Sequence, residues 1–417
     1  MKRDARTLSD RPASSRLGDP LSWFSWLTLG SWGLLVLVAA WLRTRAFAMF
    51  VGVLVGIYAL IAVAMAKAFV PILPVFATLH VTVFVNFIAL TRPRMRPLVY
   101  RLLVSWPASF FAAGTLLSLP WALAFAAGFA LPWPWLPYAL ATLGMVQSLT
   151  TKRETIDLSL ADRNDPSARV AVLAPHPRGK ARVDRPLRVV QISDPHIGPF
   201  MSVARLSAIC ERAVAAKPDL VLLTGDFLTM ESHSDARLLL DAFAPLKKLP
   251  GRVFACHGNH DHEAPRIVSH ACEANGIELL LGDSRVVETE AGPVQIVGTD
   301  FVWRDRKAYL ARVCEEHPRI EGVTRLVLLH DPSAFHDLPE GEGDLVLSGH
   351  THGGQVGLVS LGLAWTFLRL AGNKMPDHGY WAKGRDRLWV HRGTGHYGFP
   401  LRLGVPAEES VLQIHRA

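Results

Sequence analysis

Hydrophobic positions follow two different patterns along this chain. Up to about residue 150 they run together in long blocks; from residue 187 they come in short runs that stop at polar clusters. Ser22 to Leu42 is nearly continuous apolar sequence, closed by Arg43 and Arg45. Ala46 to Ala66 is a second block, closed by Lys67, and Phe69 to Leu90 a third, closed by Arg92, Arg94 and Arg96. Leu102 to Leu123 is a fourth, and a shorter fifth, about Pro132 to Leu149, opens with Pro132-Trp133-Pro134-Trp135. A helix needs ~20 apolar residues to cross a ~30 Å hydrocarbon core, and basic and Trp residues at block ends suit the membrane interface. The pattern predicts an all-α transmembrane region of about five helices over 21–150, after a polar tail over 1–20. A single cleavable leader would not give repeated long blocks. The chain is therefore expected to be a multi-pass integral membrane protein in contact with membrane lipids. The basic loop Arg92 to Arg101 and the exit at Lys152-Arg153 favour a cytoplasmic catalytic half, while the basic tail (Arg3, Arg6, Arg11, Arg16) argues for the opposite side. His80 lies inside the third block. An ionisable residue there is a functional candidate, set against the simpler reading of a neutral histidine packed between helices.

Residues 151–186, broken by Pro166, Pro175, Pro177 and Pro186, read as a linker with a first strand at Ala168 to Leu173. Beyond it, short apolar runs predict strands at Leu187 to Ile192, Leu220 to Leu223, Val253 to Ala255, Val294 to Gly298, Arg325 to Leu329, Leu345 to Ser348, Leu388 to His391 and Ser410 to Ile414. Helical periodicity appears over Val203 to Ala216 and Ala236 to Leu246. Alternating strands and helices, then strands with fewer helices between them, predict an α/β fold over 187–417: a two-sheet sandwich flanked by helices. Polar clusters follow the strands, where open α/β folds place their ligands.

Those clusters are Asp194-Pro-His196, Gly225-Asp226, Gly258-Asn259-His260-Asp261, His330 and Gly349-His350-Thr-His352. Carboxylate, amide and imidazole suit borderline divalent ions, and a shared carboxylate holds two ions ~3.5–4 Å apart, as two-metal hydrolysis requires. Each motif alone is weak; all five in order, each after an apolar strand, are hard to obtain by accident. The set resembles that of the calcineurin-like metallophosphoesterases, over roughly residues 187–417. Gly353-Gly354-Gln355 and the run Gly393-Thr-Gly-His-Tyr397-Gly398-Phe-Pro400-Leu-Arg402-Leu-Gly404 resemble the membrane-linked branch of that family. The resemblance implies that Asp194, His196, Asp226 and His352 hold one metal and that Asp226, Asn259, His330 and His350 hold the second. It implies a metal-activated water as nucleophile, His260 as the group that protonates the leaving oxygen, and Asp261 as the residue that orients His260. Two divalent ions (Mn, Fe or Zn) are the implied cofactors, and a phosphodiester, pyrophosphate or phosphomonoester is the implied substrate. Membrane attachment favours a lipid-linked substrate. The alternative is a non-enzymatic membrane scaffold or sensor that retains the metal fold.

Composition adds little. A net charge of +8 is accounted for by Arg-rich loops flanking membrane blocks, and no basic patch interleaved with aromatics points to nucleic acid. Cys210, Cys256, Cys272 and Cys314 form no CxxC pair and are expected to be buried and unbridged. Oligomeric state is not legible. His233 and His396 are further candidates for the site, whereas His257, His262, His270, His317, His336 and His415 read as ordinary surface or core residues. Val356 to Leu370 lies beside His350 and His352 and reads either as core or as an apolar lip, with Arg369 and Lys374 as its basic edge.

Overall fold

The computed structural model describes residues 20–160, 171–173 and 185–416. The polar tail, and the part of the expected first strand before Ala171, lie outside the described residues. The chain divides into two compact units: residues 1–92 with 102–139, and residues 93–101 with 140–417.

The first unit is helical: Pro20–Leu42, Arg45–Ala66, Leu73–Ala89, Trp106–Leu117 and Leu119–Ala126, with a 3₁₀ turn at Lys67–Ile72. These helices form because apolar residues fill every face and no acidic residue interrupts them. They do not divide into the five expected spans. Leu21–Leu42 is long and apolar enough to cross a membrane, and Arg45–Ala89 forms one continuous 45-residue stretch. Leu98–Leu117 and Leu119–Ala126 would count as a third crossing only if taken together across a 54° bend. Pro120, just inside the second of these helices, accounts for the break, since its ring cannot continue the preceding turn. The helix Leu136–Ser148 has 13 residues, about 20 Å of rise, short of the hydrocarbon thickness. His80 takes the packing role: Nε2 lies 3.0 Å from Thr28 Oγ1 and Nδ1 2.7 Å from Tyr58 O–H, among the rings of Phe24, Phe84 and Phe111.

The second unit is built on two sheets. Its strands are β1 (Thr151–Ser159), β2 (Ala171–Leu173), β3 (Leu187–Ile192), β4 (Leu220–Thr224), β5 (Val253–Cys256), β6 (Glu278–Leu279), β7 (Asp283–Thr289), β8 (Gly292–Gly298), β9 (Thr324–Leu328), β10 (Leu345–Ser348), β11 (Gly379–Lys383), β12 (Asp386–Val390) and β13 (Ala407–His415). One sheet has the order β1-β13-β3-β4-β5-β6 and the other β2-β11-β12-β10-β9-β8-β7. Strand alternation sends Leu187, Val189, Leu220, Leu222 and Phe254 inward against Ile296, Leu326, Leu328, Leu345 and Leu347 of the other sheet. Val190, Ile192, Val221 and Leu223 point outward and bury against Val203–Ala215, Ala236–Phe243 and Pro265–Ala274. Arg306–Glu316 packs on the outer face of the second sheet through Leu310 and Val313. The two-sheet α/β sandwich with helices outside is thus observed, and all four cysteines are buried and free.

The linker reading of 151–186 fails at its start. β1 pairs in parallel with β13 from Thr151 with Ala407 to Ser159 with His415. Its sequence, Thr-Lys-Arg-Glu-Thr-Ile-Asp-Leu-Ser, is polar because it is an edge strand whose outward positions meet water; Leu158 alone is fully buried.

Candidate metal centre

β3, β4 and β5 of the first sheet and β9 and β10 of the second end on the same cluster of loops. Gln191 fixes the two sheets together beneath it: its Nε2 donates to Thr224 Oγ1 at 2.9 Å and to the Ser348 carbonyl at 3.0 Å. Above this floor the loops bring together six of the seven expected ligand residues. Asp194, His196 and His352 converge in one group and Asp226, His330 and His350 in a second. His196 Nε2 is 3.2 Å from His352 Nε2, and His352 Nε2 is 3.5 Å from Asp194 Oδ1. Asp226 Oδ2 faces both groups, 3.3 Å from His330 Nε2 and 3.6 Å from His196 Nε2.

The chain bends sharply to do this. Asp194, His196, Asp226, His350 and His352 all have positive φ, between 45° and 68°. Such conformations are uncommon outside glycine, and Asp and His tolerate them better than most. The glycines of the motifs have a separate reason. A Cβ on Gly258 would collide with the Asp226 carboxylate, and one on Gly349 with Ser193 Oγ and the Asp194 carboxylate.

Donor chemistry and buried orphan atoms fit divalent cations. His330 Nδ1 donates to the Thr224 carbonyl at 2.6 Å and His196 Nδ1 to the Leu228 carbonyl at 3.3 Å, which aims each Nε2 at the centre. Asn259 Oδ1, His330 Nε2 and His350 Nδ1 are buried with no hydrogen-bond partner. Burial pushes His196 down to about 3 and His350 to about 4, so both are neutral ligands at physiological pH. Burial opposes charge on Asp226 too, but the attraction of His330 outweighs it and holds the carboxyl well below its ordinary range. Against the same burial, Asp226 raises His330 to about 10. A cation bound there would have to displace the His330 proton.

Below His352 lies Arg402, fully buried. Its Nε donates to the Gly395 carbonyl at 3.0 Å, and its Nη2 donates to the Arg392 carbonyl at 2.7 Å and lies 3.1 Å from His352 Nδ1. One side chain thereby fixes the 392–402 loop against a ligand histidine. Tyr397 of that loop stacks on His260, centroids 4.3 Å apart, and lies 5.0 Å from the His196 ring. The Gly-His-Tyr-Gly-Phe-Pro run is the only sequence signal for either contact.

The geometry corrects the role expected for Asp261. Its carboxylate accepts from the backbone N–H of Asp226 at 2.7 Å, Phe227 at 2.9 Å and Gly258 at 2.8 Å. It is committed to backbone and does not orient the His260 ring. Burial, with the charge of Asp226 adding, pushes Asp261 up to about 6, against the pull of those amides. The partner of His260 is Glu263, whose Oε1 lies 3.2 Å from Nδ1. The resemblance implied the adjacent carboxylate, but the 3₁₀ turn Asp261–Glu263 carries the third residue back onto the ring. Burial lowers the His260 pKa, but the Glu263 hydrogen bond and the charges of Asp226 and Glu263 prevail and raise it above the ordinary histidine value. His233 Nδ1 stands 3.6 Å from Glu263 Oε2, while His396 is buried beside Phe200.

Two outcomes follow from these contacts. Asp261→Ala leaves three backbone donors unmade; at about 1–3 kcal/mol each the domain should lose on the order of 3 kcal/mol or more, read as a fall in Tm of the purified chain. Glu263→Gln should act differently. A proton-donating His260 supports activity below its pKa, so removing the charge that raises that pKa should move the alkaline limb of the kcat/KM profile to lower pH, with Tm nearly unchanged. An unshifted limb would detach Glu263 from His260.

Residues 187–354 match the calcineurin-like phosphoesterase family model. The chain is 29% identical over 235 residues to Phosphodiesterase YaeI of Escherichia coli (strain K12), covering 55% of this chain and 82% of that one. It is 27% identical over 267 residues to the uncharacterized metallophosphoesterase YkoQ of Bacillus subtilis (strain 168), covering 61% and 93%. It is 28% identical over 242 residues to a transmembrane protein with metallophosphoesterase domain from Danio rerio, covering 55% of this chain but 54% of that relative. Motif order, ligand geometry and these likenesses agree: the chain carries a calcineurin-like phosphoesterase domain and belongs with the metal-dependent phosphoester hydrolases.

Proposed function

We propose that this protein is a membrane-attached phosphodiesterase that uses two divalent cations and takes a lipid-linked substrate at the membrane surface. The observation that carries the catalytic part is the buried Asp226 carboxylate facing both ligand groups. Asp194, His196, Asp226 and His352 would hold one ion, and Asp226, Asn259, His330 and His350 the other. Bound there, the pair supplies Lewis-acid activation of water and neutralises charge on the phosphoryl oxygens. The chain's own residues do the rest. His260 is held protonated by Glu263 and delivers that proton to the leaving oxygen. Tyr397 fixes the plane of the His260 ring. Phosphodiester specificity is supported by the name of the Escherichia coli relative.

Attachment to a membrane is supported by the long apolar helices and by the name of the Danio rerio relative. Support for a lipid-linked substrate comes from Val356 to Leu370. The core reading of this segment gives way: Leu361 is 73% exposed, Trp365 57%, Phe367 60% and Leu370 66%. The segment is anchored rather than loose. Gly357 N donates to the Leu403 carbonyl and Ser360 N to the Gly404 carbonyl, and Thr366 is buried against Asp377. Gln147, in the last turn of Leu136–Ser148, holds it through Ser360 Oγ at 3.3 Å and Gly404 N at 2.8 Å. Its basic edge is narrower than expected, because Arg369 is paired with Asp377 at 2.9 Å and only Lys374 stays exposed. Held apolar side chains next to His352 suit the acyl part of a substrate or the bilayer edge.

Asp226→Asn should abolish turnover and lower bound metal from about two ions per chain, measured by elemental analysis. His260→Ala should keep its metal and lose ~10²–10⁴-fold in rate; a collapse in metal content with a normal rate per bound ion would remove His260 from the proton-transfer role. Trp365→Ser with Phe367→Ser should impair a long-chain substrate in vesicles at least tenfold more than a small soluble aryl phosphodiester. Equal loss on both, with a lower Tm, would return these residues to the core.

A further inference from the structure

Outside the seven ligand residues, His257, His262 and Asp300 make a third cluster of metal-binding groups. His257 follows β5, two residues before Asn259, His262 lies in the turn after His260, and Asp300 follows β8. His257 Nδ1 is 3.2 Å and His262 Nε2 2.9 Å from the same oxygen, Asp300 Oδ1. Ligands at ~2.0–2.2 Å from one borderline ion stand about 3.0–3.5 Å from each other. The spacing in this cluster, 2.9 and 3.2 Å, is close to that range and slightly tighter than around Asp226, where the candidate ligand atoms lie 3.2 to 3.6 Å apart.

Hydrogen bonding alone accounts for the arrangement poorly. Asp300 Oδ1 already accepts from Phe301 N at 2.8 Å, so two imidazole donors would bring three N–H groups onto one oxygen with two lone pairs. The other carboxylate oxygen is not used by either ring. His257 is 4% exposed, and its Nε2 is buried with no partner, so no second bond commits its proton to Nδ1. Asp300 itself is pinned, its backbone N donating to Tyr309 O–H at 2.7 Å. We propose that His257, His262 and Asp300 form a third divalent-cation site, two imidazoles and one carboxylate, at the rim of the phosphoesterase centre. That donor set suits Zn, Mn or Fe(II) and supplies only three protein ligands. Partial exposure of His262 and Asp300 gives an entry path and leaves the remaining positions to water or a substrate oxygen. Phe301, next to Asp300, brings its ring to 6.3 Å from both His330 and His350, so the cluster borders the group of Asp226, His330 and His350.

The test is Mn(II) stoichiometry on the full chain in detergent, stripped with chelator and titrated while free Mn(II) is read by electron paramagnetic resonance. The wild type should bind about three equivalents, the third more weakly than the others. His262→Ala, on an exposed residue, and Asp300→Asn should each remove that weak equivalent and leave about two, while Asp226→Asn should retain it. A wild type that saturates at two, unchanged by His262→Ala, would overturn the third site and leave the paired site standing. Three equivalents in both rim variants would also overturn it. A wild type that binds one weak equivalent, lost in His262→Ala, would instead sink the paired-metal reading and leave the rim site in place.

Discussion

A single carboxylate organises the catalytic half. Asp226 is buried, sits at the end of a strand in the middle of the first sheet, and turns Oδ2 toward histidines from both ligand groups. Its other oxygen accepts the His260 backbone N–H at 2.9 Å, which seats His260 on the same carboxylate. A charge buried this deeply is tolerated only with strong compensation. His330 supplies part of it, and divalent cations would supply the rest. Much of the surrounding architecture answers that demand. Asp261 ties the amides of residues 226, 227 and 258 to one carboxylate, Gly258 removes the Cβ that would strike Asp226, and Gln191 locks the two sheets beneath the pocket.

How much of this was legible in the sequence depends on what each feature requires. The strands that carry ligands were legible because they are buried on both faces and read as short apolar runs stopping at a polar cluster; β3, β4, β5, β9 and β10 all follow that rule. β1 and β7 were missed because they lie at sheet edges or beside them, where one face meets water and charged residues hide the alternation. Six of the seven candidate ligand residues come together because their motifs are local and their strands parallel. Partner choice within a motif was not legible. Which of Asp261 and Glu263 faces His260 is decided by a 3₁₀ turn, and the family resemblance implied the other one. His257 and His262 looked ordinary because Asp300, which brings them together, lies far along the chain.

The apolar half divides differently from its hydropathy blocks for a related reason. Hydropathy marks where apolar residues lie but not where a helix ends. Lys67 closes a block in the sequence, yet the backbone continues through it as a 3₁₀ turn into the next helix. In the other direction, Pro120 bends what reads as one block. In Val356 to Leu370 the composition resembled core, but Gly357, Gly362 and the buried Thr366 cap make a tight surface fold whose large side chains have nothing of the second unit's core to pack on.

The remaining question is how the ligands are held before any cation arrives. Five of them occupy left-handed backbone, at roughly 1–2 kcal/mol each for an L residue, a total of the same order as the net stability of an ordinary domain. Asp and His lie at the low end of that cost, and the strain falls on residues whose neighbours are bound on all sides. Asp194 N donates to the Gly225 carbonyl, His196 N to the Asp226 carbonyl, and His350 N to the Asp194 carboxylate at 2.9 Å. Two of the strained residues, His196 and His350, are therefore held by strained residues on other loops, Asp226 is held by the Asp261 carboxylate, and Arg402 closes the set from below through the carbonyls of residues 392 and 395. Loops that fix one another in this way give up conformational freedom on folding rather than on binding. A cation would then meet donors already converged, and its binding energy would not be consumed in ordering them.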